Sequence, residues 1–355
     1  MPAVLHVLPH PGGGAETYID LLEGLEGYRH RRFALSLTRS RRRGVRSVLA
    51  RRRQVGRLAR EADLVHLHGD MAAMLVAPLA RERPALITSH GLHRLRRSEG
   101  AAGWLVQRRL RTAIAAAART ICITREERDD LAAVLPPALH QRLVVVPNGV
   151  PLAAPAEPER RQRLRRSLGL GEGDVAVLFA GQLEPRKDPL GAAAAAEAAR
   201  AGGAPVVLLV AGGGPLAAEV GARASDAVRP LGHRDDLEDL YAAADLFLLP
   251  SHREGMSLAL LEAMAHGLAP VVADGAGNVE TVADAGAVFP AGDLAAMAER
   301  LAALAADPDA RARLGAAARQ RVGAEFSVER FLAATREQYE AALRAPGRGA
   351  RAAPA

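Results

Sequence analysis

Two adjacent cations in the second half of the chain are candidates for a role in chemistry. Arg186 and Lys187 follow the apolar segment 175–180, and Lys187 is the only lysine among the 47 basic residues. A lysine places a compact charge on a slim stem, which suits a tight phosphate site. Cations in such a loop could neutralise a diphosphate as it leaves. The alternative is a solvated loop in which one of the two cations pairs with Asp188.

A second candidate site follows the apolar segment 245–249, where Glu254 precedes a predicted helix over 258–266. Ser257 has the side chain of a helix N-cap. Backbone amides at the start of a helix favour an anion. The amides expected to do so here belong to Gly255, Met256, Ser257 and Leu258.

Glu262 lies within that helix, among the apolar residues from 258 to 265. An ionised carboxylate in such surroundings is unfavourable unless donors bond to it. The hydroxyls of a ribose would be suitable donors. A pair with His266, one helical turn later, is the alternative.

The first half of the chain has two candidate sites of the same kind. Gly13 and Gly14 follow the apolar segment 4–8 and open a helix, so a ligand could approach the backbone amides closely. A tight strand-to-helix turn is the alternative. His90 follows the segment 85–88, where its ring could reach a hydroxyl or a phosphate, or pack against a helix instead.

Three further residues are predicted to be buried without a role in chemistry. His66 and His68 alternate with apolar residues, and Cys122 lies in the apolar run 120–123. Because Cys122 is the only cysteine, the chain has no internal disulfide, which fits a reducing compartment.

The apolar segments before these sites predict β-strands. They are continuously apolar, as in parallel strands covered on both faces, and helical patterns lie between them. The predicted strands are 4–8, 64–67, 85–88, 119–123, 143–146, 175–180, 206–211, 245–249, 270–273 and 286–289. This order predicts an α/β fold with two Rossmann-like, doubly wound parallel-sheet domains facing a central cleft. Ligands in such sheets bind beyond the carboxyl ends of the strands.

Proline and glycine residues near position 150 mark a domain boundary. The predicted organisation is an N-terminal domain over 1–150, a linker over 151–165, a C-terminal domain over 166–327, a helix over 328–343 and a tail over 344–355. We expect the last helix to pack back toward the N-terminal domain and the tail to be disordered.

The charge is distributed unevenly along the chain. Residues 1–165 carry 29 basic and 15 acidic residues, whereas the remainder carries 18 basic and 25 acidic ones. The basic first half predicts an anionic partner. The longest uncharged stretch, 201–218, is interrupted by glycine and proline, and a membrane span needs about 20 apolar residues. Since no targeting pattern is visible either, we expect a cytoplasmic protein.

The candidate residues lie within longer motifs. Glu254 and Glu262 stand in Glu-x7-Glu spacing inside the block 232–272. The other motifs are GGAE at 13–16, SHG at 89–91, VVVPNGV at 144–150, GQLEPRKD at 181–188 and AGGGPL at 211–216. Together they closely resemble the retaining glycosyltransferases of family 4, which have the GT-B fold. The resemblance covers nearly the whole chain, and the block 232–272 is highly specific.

The resemblance implies roles for the candidates in the second half. Glu254 would bond to the hydroxyls of the donor sugar and Glu262 to the ribose. Lys187 and the helix amides would hold the diphosphate. The family usually has an arginine at the position of Gln182, so Lys187 and Arg186 would neutralise the leaving group here.

In the first half, the resemblance implies that Gly13 and Gly14 approach the donor and that His90 lies near the reacting carbon and the acceptor. The reaction implied is transfer from a nucleotide-diphosphate sugar with retention of anomeric configuration. The resemblance implies no metal and no other cofactor, and no Asp-x-Asp motif follows a predicted strand.

Two other functions remain open. A sugar-nucleotide epimerase of the same fold would act on the donor alone, although the Glu-x7-Glu spacing favours transfer. The net charge of +7 would also suit a non-catalytic nucleic-acid-binding protein. Because the basic half has few aromatic residues interleaved with its cations, we expect no nucleic-acid partner.

Clustered arginines suggest where an anionic partner would bind. Basic residues beside apolar ones suit the surface of an anionic bilayer, although a solvated arginine-rich face is the alternative. The clusters are Arg39, Arg41, Arg42, Arg43, Arg46, Arg51, Arg52, Arg53, Arg57 and Arg60, then Arg94, Arg96 and Arg97 before Trp104, Arg108 and Arg109. We expect peripheral association with the inner face of the membrane and a lipid-linked or other anionic acceptor.

Overall fold

The computed structural model describes residues 1–36, 45–77, 83–92, 95 and 100–344, with the side chains of residues 45–49 left out. The chain forms two compact units. The N-unit comprises Met1–Asn148 and the chain from Val328 onward, and the C-unit comprises Gly149–Ser327. Several predicted features lie outside the described residues, namely Arg39, Arg41, Arg42, Arg43, Arg94, Arg96, Arg97, the side chain of Arg46 and the tail from 345.

The N-unit is built around a six-stranded parallel sheet in the order β2-β1-β3-β4-β5-β6. Its elements are β1 (Ala3–Leu8), α1 (Gly14–Glu23), β2 (Arg29–Ala34), α2 (Val45–Arg60), β3 (Leu64–His68), α3 (Gly69–Val76), β4 (Ala85–Thr88), α4 (Gly100–Ala116), β5 (Arg119–Cys122), α5 (Arg125–Val134), a 3-10 helix (Pro137–Arg142) and β6 (Leu143–Val145). The strand order reverses next to β1, and His66, His68 and Cys122 are buried as predicted.

The C-unit contains a second six-stranded parallel sheet, in the order β12-β11-β10-β7-β8-β9. Its elements are α6 (Pro158–Ser167), β7 (Val175–Ala180), a 3-10 helix (Pro185–Lys187), α7 (Pro189–Ala201), β8 (Val206–Ala211), α8 (Ala217–Gly221), β9 (Val228–Gly232), α9 (Leu237–Ala243), β10 (Leu246–Leu249), α10 (Leu258–Ala265), β11 (Ala269–Ala273), α11 (Ala276–Val282), β12 (Ala287–Phe289), α12 (Leu294–Ala306) and α13 (Pro308–Glu325). This is the strand order of a dinucleotide-binding Rossmann sheet, which reverses between β7 and β10.

Only 3% of the residues in the chain are aromatic, and the C-unit core is filled mainly by smaller apolar side chains. Strands β7 and β8 are buried along their whole length, as expected for strands covered on both faces. Helix α7 presents five buried alanines to this core, and their small side chains let the helix backbone lie close to the sheet. The segment predicted as a linker, 151–165, overlaps α6, where Pro158 occupies the first turn of the helix, a position that proline tolerates.

The last described helix, α14 (Val328–Arg344), belongs to the N-unit. Its buried side chains Phe331 and Tyr339 share a hydrophobic cluster with Tyr18 of α1 and Val4 of β1. The chain therefore returns to cover one face of the first sheet. Within the described residues, the helices are too short or too polar to cross a bilayer.

Candidate functional site

The candidate cations and Glu254 lie where the strand order of the C-unit reverses. Strands β7 and β10 are hydrogen-bonded neighbours, although the end of β7 at Ala180 and the start of β10 at Leu246 are 66 positions apart in the sequence. The 3-10 helix Pro185–Lys187 follows β7, and the loop with Glu254 follows β10. In doubly wound sheets this reversal opens a crevice beyond the carboxyl ends of the strands, where ligands bind.

Lys187 and Arg186 both contact one carboxylate at this point. The Lys187 Nζ lies 2.5 Å from Glu254 Oε1, and Arg186 Nη1 lies 3.1 Å from the same oxygen. The Arg186 Nε also pairs with Glu184 Oε1 at 2.7 Å. Burial raises the pKa of the Glu254 carboxyl, but Lys187 and Arg186 lower it by more, so its net pKa lies below the usual value. This lowered pKa favours the ionised form of Glu254, a buried carboxylate with two cationic side chains beside it.

The sequence left open a pair between one of these cations and Asp188, and the structure gives Asp188 a different task. Its backbone adopts φ 50°, and its side chain accepts a hydrogen bond from the Gly191 amide, so it caps α7. An N-cap of this kind satisfies an amide that the helix cannot pair itself. Both cations point to Glu254 instead.

The start of α10 follows Glu254 directly. Ser257 is the N-cap, as predicted, and its Oγ accepts from the Leu260 amide at 3.4 Å. Gly255, Met256 and Ser257 are buried and Leu258 is partly buried. A helix N-terminus carries a partial positive charge, so the predicted anion site has the expected electrostatics.

Two residues that the sequence analysis missed support this loop. A Cβ on Gly277 would lie 2.0 Å from the Gly255 carbonyl oxygen, so only glycine lets α11 approach the loop. The buried Asn278 donates from Nδ2 to the carbonyl of Ala273 at 3.1 Å and to that of Ser251 at 3.4 Å. The signal was the sequence GAGN at 275–278, one residue after the end of β11, because the other candidate motifs also follow strand ends.

Glu262 is held by a tyrosine that the sequence analysis also missed. The Tyr241 hydroxyl of α9 donates to Glu262 Oε2 at 2.8 Å. His266, the predicted alternative partner, donates from Nδ1 to the Glu262 backbone carbonyl instead, and its Nε2 lies 2.8 Å from Glu238. Burial raises the pKa of Glu262, and the hydrogen bond from Tyr241 opposes that rise.

The glycine-rich turn after β1 is exposed in the N-unit. Gly12 and Gly13 adopt φ 85° and 80°, a region that favours glycine, and a Cβ on either would meet nothing within 4 Å. The requirement for glycine here is therefore conformational. The Gly12 amide donates to Glu16 Oε2 at 2.6 Å, while Gly13 is the N-cap of α1 and Gly14 its first residue.

His90 follows β4 and is partly buried, with a left-handed backbone at φ 50°. Its Nε2 lies 3.1 Å from His68 Nδ1, and its ring meets that of Tyr18 edge-on at a centroid distance of 4.7 Å. A strained backbone is retained where the surrounding contacts fix it. The structure thus holds this imidazole by a hydrogen bond and an aromatic contact.

The structure brings Arg186, Lys187 and Glu254 into direct contact within the C-unit. Gln182 is exposed just after β7, and Glu262 is the fifth residue of α10, about one turn from its start. Gly13, Gly14 and His90 belong to the N-unit. The C-unit therefore offers cations, a carboxylate and a helix N-terminus, which suit an anionic ligand that also carries hydroxyl groups.

Comparisons with known proteins agree with this chemistry. A family model described as "Glycosyltransferase Family 4" matches residues 5–154, and one described as "Glycosyl transferases group 1" matches residues 160–321. A D-inositol 3-phosphate glycosyltransferase from Salinispora arenicola is 34% identical over 83% of this chain and 72% of its own. An alpha-maltose-1-phosphate synthase from Mycolicibacterium smegmatis is 30% identical over 79% of each chain.

Solved structures show the same architecture. The Anabaena protein HepE, solved in complex with UDP-glucose, has a TM-score of 0.79 at 19% identity and covers 96% of this chain and 100% of its own. Sucrose-phosphate synthase from Thermosynechococcus elongatus has a TM-score of 0.78 at 19% identity, over 96% of this chain and 98% of its own. The fold and the site define a glycosyltransferase of the two-domain, Rossmann-like GT-B class. The chain belongs to glycosyltransferase family 4.

Proposed function

We propose that the protein transfers a sugar from a nucleotide-diphosphate donor to a hydroxyl group of an anionic acceptor, with retention of anomeric configuration. The observation that carries this proposal is the cluster of Lys187, Arg186 and Glu254 at the strand reversal of the C-unit. A donor of this class is bound by HepE, whose structures contain UDP and UDP-glucose.

The geometry suggests how the donor is held. Lys187 and Arg186 face the diphosphate together with the amides from Gly255 to Leu258, and Glu254 accepts hydrogen bonds from the sugar hydroxyls. Glu262, already bonded to Tyr241, accepts from the ribose hydroxyls. Because Gln182 carries no charge, the two cations provide the charge neutralisation in this loop.

The reaction is a single exchange at the anomeric carbon. The acceptor oxygen forms a bond to that carbon, the bond to the diphosphate oxygen breaks, and the acceptor proton leaves with the diphosphate. Fixed positive charge near the developing diphosphate stabilises this transition state. Lys187, Arg186 and the α10 N-terminus supply it, so the proposed mechanism uses neither a metal nor another cofactor.

The anomeric configuration of the product tests this function. Sugar nucleotides are first screened for thermal stabilisation, because a bound donor raises stability by mass action. The stabilising donor is then incubated with candidate acceptors, and proton NMR reads the anomeric signal of the product. We expect the configuration of the donor. An inverted product would contradict retention, and conversion of the donor without an acceptor would identify an epimerase.

The acceptor is proposed to be anionic, and lipid-linked at the membrane surface. Both named relatives handle phosphorylated compounds by their names, inositol 3-phosphate and maltose 1-phosphate. Helix α4 presents Trp104 and Leu105, which are 60% and 44% exposed, beside the exposed Arg108 and Arg109. An apolar face flanked by cations suits an anionic bilayer.

Tryptophan fluorescence measures this association directly, since Trp104 is the only tryptophan in the chain. Vesicles with phosphatidylglycerol should shift its emission to shorter wavelength, and salt should weaken the effect. Replacing Arg108 and Arg109 with glutamine should weaken binding, whereas Arg313→Gln in the C-unit, 71% exposed, serves as the control. An unchanged emission at low salt would contradict membrane association and would favour a soluble anionic acceptor.

A further inference from the structure

The turn after β4 has a strained backbone. His90, Gly91 and Leu92 adopt φ 50°, 102° and 49°, so three consecutive residues lie in the left-handed region. Glycine enters this region freely, whereas a residue with a Cβ does so only with steric strain. Strain of this kind persists where the surrounding structure fixes it, and it is concentrated at functional sites. The conformation of turn 90–92 therefore depends on contacts at both of its ends.

Hydrophobic packing fixes the second end of the turn. Leu92 is 2% exposed and shares a hydrophobic cluster with Ile87 of β4, Leu67 of β3 and Ile114 of α4. A relaxed backbone at position 92 would withdraw this side chain from the cluster. The burial of apolar surface thus opposes relaxation at this end.

Hydrogen bonds fix the first end of the turn, at Ser89. This residue is 3% exposed, and its amide donates to the Ile121 carbonyl of β5 at 3.0 Å. Its hydroxyl donates to Oε2 of Glu127, the third residue of α5. The residue before His90 is therefore attached to the next strand by its backbone and to the next helix by its side chain.

Glu127 joins the ends of two strands. It has no exposed surface, and its Oε2 also accepts from the Ile123 amide just after β5, at 3.0 Å. The Glu127 amide donates to Oγ1 of Thr124, the N-cap of α5, at 3.1 Å. The partial positive charge at this helix N-terminus stabilises a carboxylate. One carboxylate oxygen thus binds both the chain after β4 and the chain after β5.

Capping of α5 alone does not explain this arrangement. In a capping box, the glutamate three residues after the N-cap bonds back to the amide of the N-cap residue. Glu127 bonds to the residue before the N-cap and also to Ser89, 38 positions earlier. Because burial of a carboxylate is unfavourable unless donors compensate it, a fully buried glutamate indicates a role beyond the helix end. The contact with Ser89 supplies that role.

We propose that Ser89 and Glu127 are positioning residues, whose hydrogen bond fixes the start of turn 90–92 and thereby the place of the His90 imidazole. The family resemblance implies that His90 lies near the reacting carbon. A displacement of about 1 Å at such a group can lower the rate about 100-fold. The positioning itself is independent of the proposed function, whereas its effect on turnover rests on that function.

Ser89→Ala tests the pair in the full-length protein. It removes the hydroxyl and leaves Glu127 bonded to Ile123, so α5 keeps its N-terminus. We expect the turn to relax and the His90 ring to move away from Tyr18, which it meets edge-on at a centroid distance of 4.7 Å. The measurement is the nuclear Overhauser effect between the ring protons of His90 and Tyr18, which should be strong in the wild type and weak in the variant.

Thr120→Val is the matched control. The Thr120 hydroxyl lies on β5, is buried like that of Ser89, and makes no hydrogen bond among the described residues. We expect this variant to keep both the ring contact and the turnover of the wild type. It therefore separates the loss of the Ser89–Glu127 hydrogen bond from the loss of a buried hydroxyl in general.

Glu127→Ala removes the other partner of the hydrogen bond and should relax the same turn. In this background, replacing Ser89 as well should not lower kcat further, because the effects of two residues that act through one shared bond are not additive. Additive losses of kcat would contradict the pair. If Glu127→Ala does not fold, Ser89→Ala alone decides the question.

Turnover gives a second readout. We expect kcat of Ser89→Ala to fall about tenfold or more. The Kd of the sugar nucleotide should stay unchanged, because the proposed donor contacts of Lys187, Arg186 and Glu254 belong to the C-unit.

The two readouts separate failure of the positioning role from failure of the proposed function. An unchanged ring contact in folded Ser89→Ala would overturn the positioning role. A loss of donor affinity as large as the loss of kcat would also overturn it, because it would indicate general damage to the fold. A lost ring contact with normal kcat would leave the positioning role standing and contradict the role of His90 in transfer.

Discussion

Replacing Lys187 with alanine should lower turnover about 100-fold or more, which is the usual effect of removing a preorganised electrostatic group from a leaving group. The Lys187 side chain is 12% exposed, whereas that of Arg186 is 34% exposed. Solvent therefore screens the Lys187 charge less, and its interaction with a developing diphosphate should be the stronger of the two. The measurement is kcat at saturating donor.

Arg186→Ala is the matched control for this variant. It removes a cation from the same carboxylate, but one that is more exposed and is also paired with Glu184, so we expect a smaller loss of turnover. Because Lys187→Ala removes a partner of the buried Glu254, thermal unfolding must show that the variant is folded. Near-normal turnover of folded Lys187→Ala would mean that Arg186, and not Lys187, provides the positive charge that stabilises the leaving diphosphate.

Glu262→Ala should weaken donor binding by about 1–3 kcal/mol, the range for a buried hydrogen bond to a charged group. The carboxylate lies on α10, behind the predicted anion site, and is oriented by the Tyr241 hydroxyl at 2.8 Å. Its loss removes the acceptor for the ribose hydroxyls. Calorimetric titration with the stabilising sugar nucleotide measures the change in affinity.

Tyr241→Phe is the control that distinguishes a loss of donor binding from a loss of local stability. Tyr241→Phe and Glu262→Ala both remove the hydrogen bond between these two side chains, but only Glu262→Ala removes the carboxylate. We therefore expect Tyr241→Phe to bind the donor with nearly normal affinity. Equal losses in the two variants would mean that the pair supports α10, and unchanged affinity in folded Glu262→Ala would contradict the assignment to the ribose.

The sequence was sufficient for ten of the twelve strands and for the strand ends that carry the candidate residues. The edge strands β2 and β9 were missed because both contain arginine and are not continuously apolar. A buried parallel strand is a continuous apolar run, and a helix cap is a single side chain such as Ser257, so both can be identified locally. Strands 175–180 and 206–211 were predicted with the bounds that the structure shows. The motif containing Glu254 and Glu262 indicated the family in the same way, because it is contiguous.

The partners of those residues were decided by the tertiary structure. Lys187 and Glu254 are 67 positions apart, and they meet because β7 and β10 are neighbours in the sheet, an order that no local pattern encodes. The same holds for Tyr241 with Glu262, whose alternative partner His266 was chosen from helical spacing alone.

The buried histidines show most clearly which features local sequence predicts and which depend on tertiary structure. Alternation with apolar residues correctly predicted that His66 and His68 are buried, because burial depends on which face of a strand a residue occupies. That His30, His6, His68 and His90 bond head to tail depends on the register of four strands, which brings rings from positions 6 to 90 within 3.1 Å of their neighbours. The sequence by itself determined most of the elements and the residues that could do chemistry. Strand order and register determined which groups meet, because those contacts join residues that are far apart along the chain.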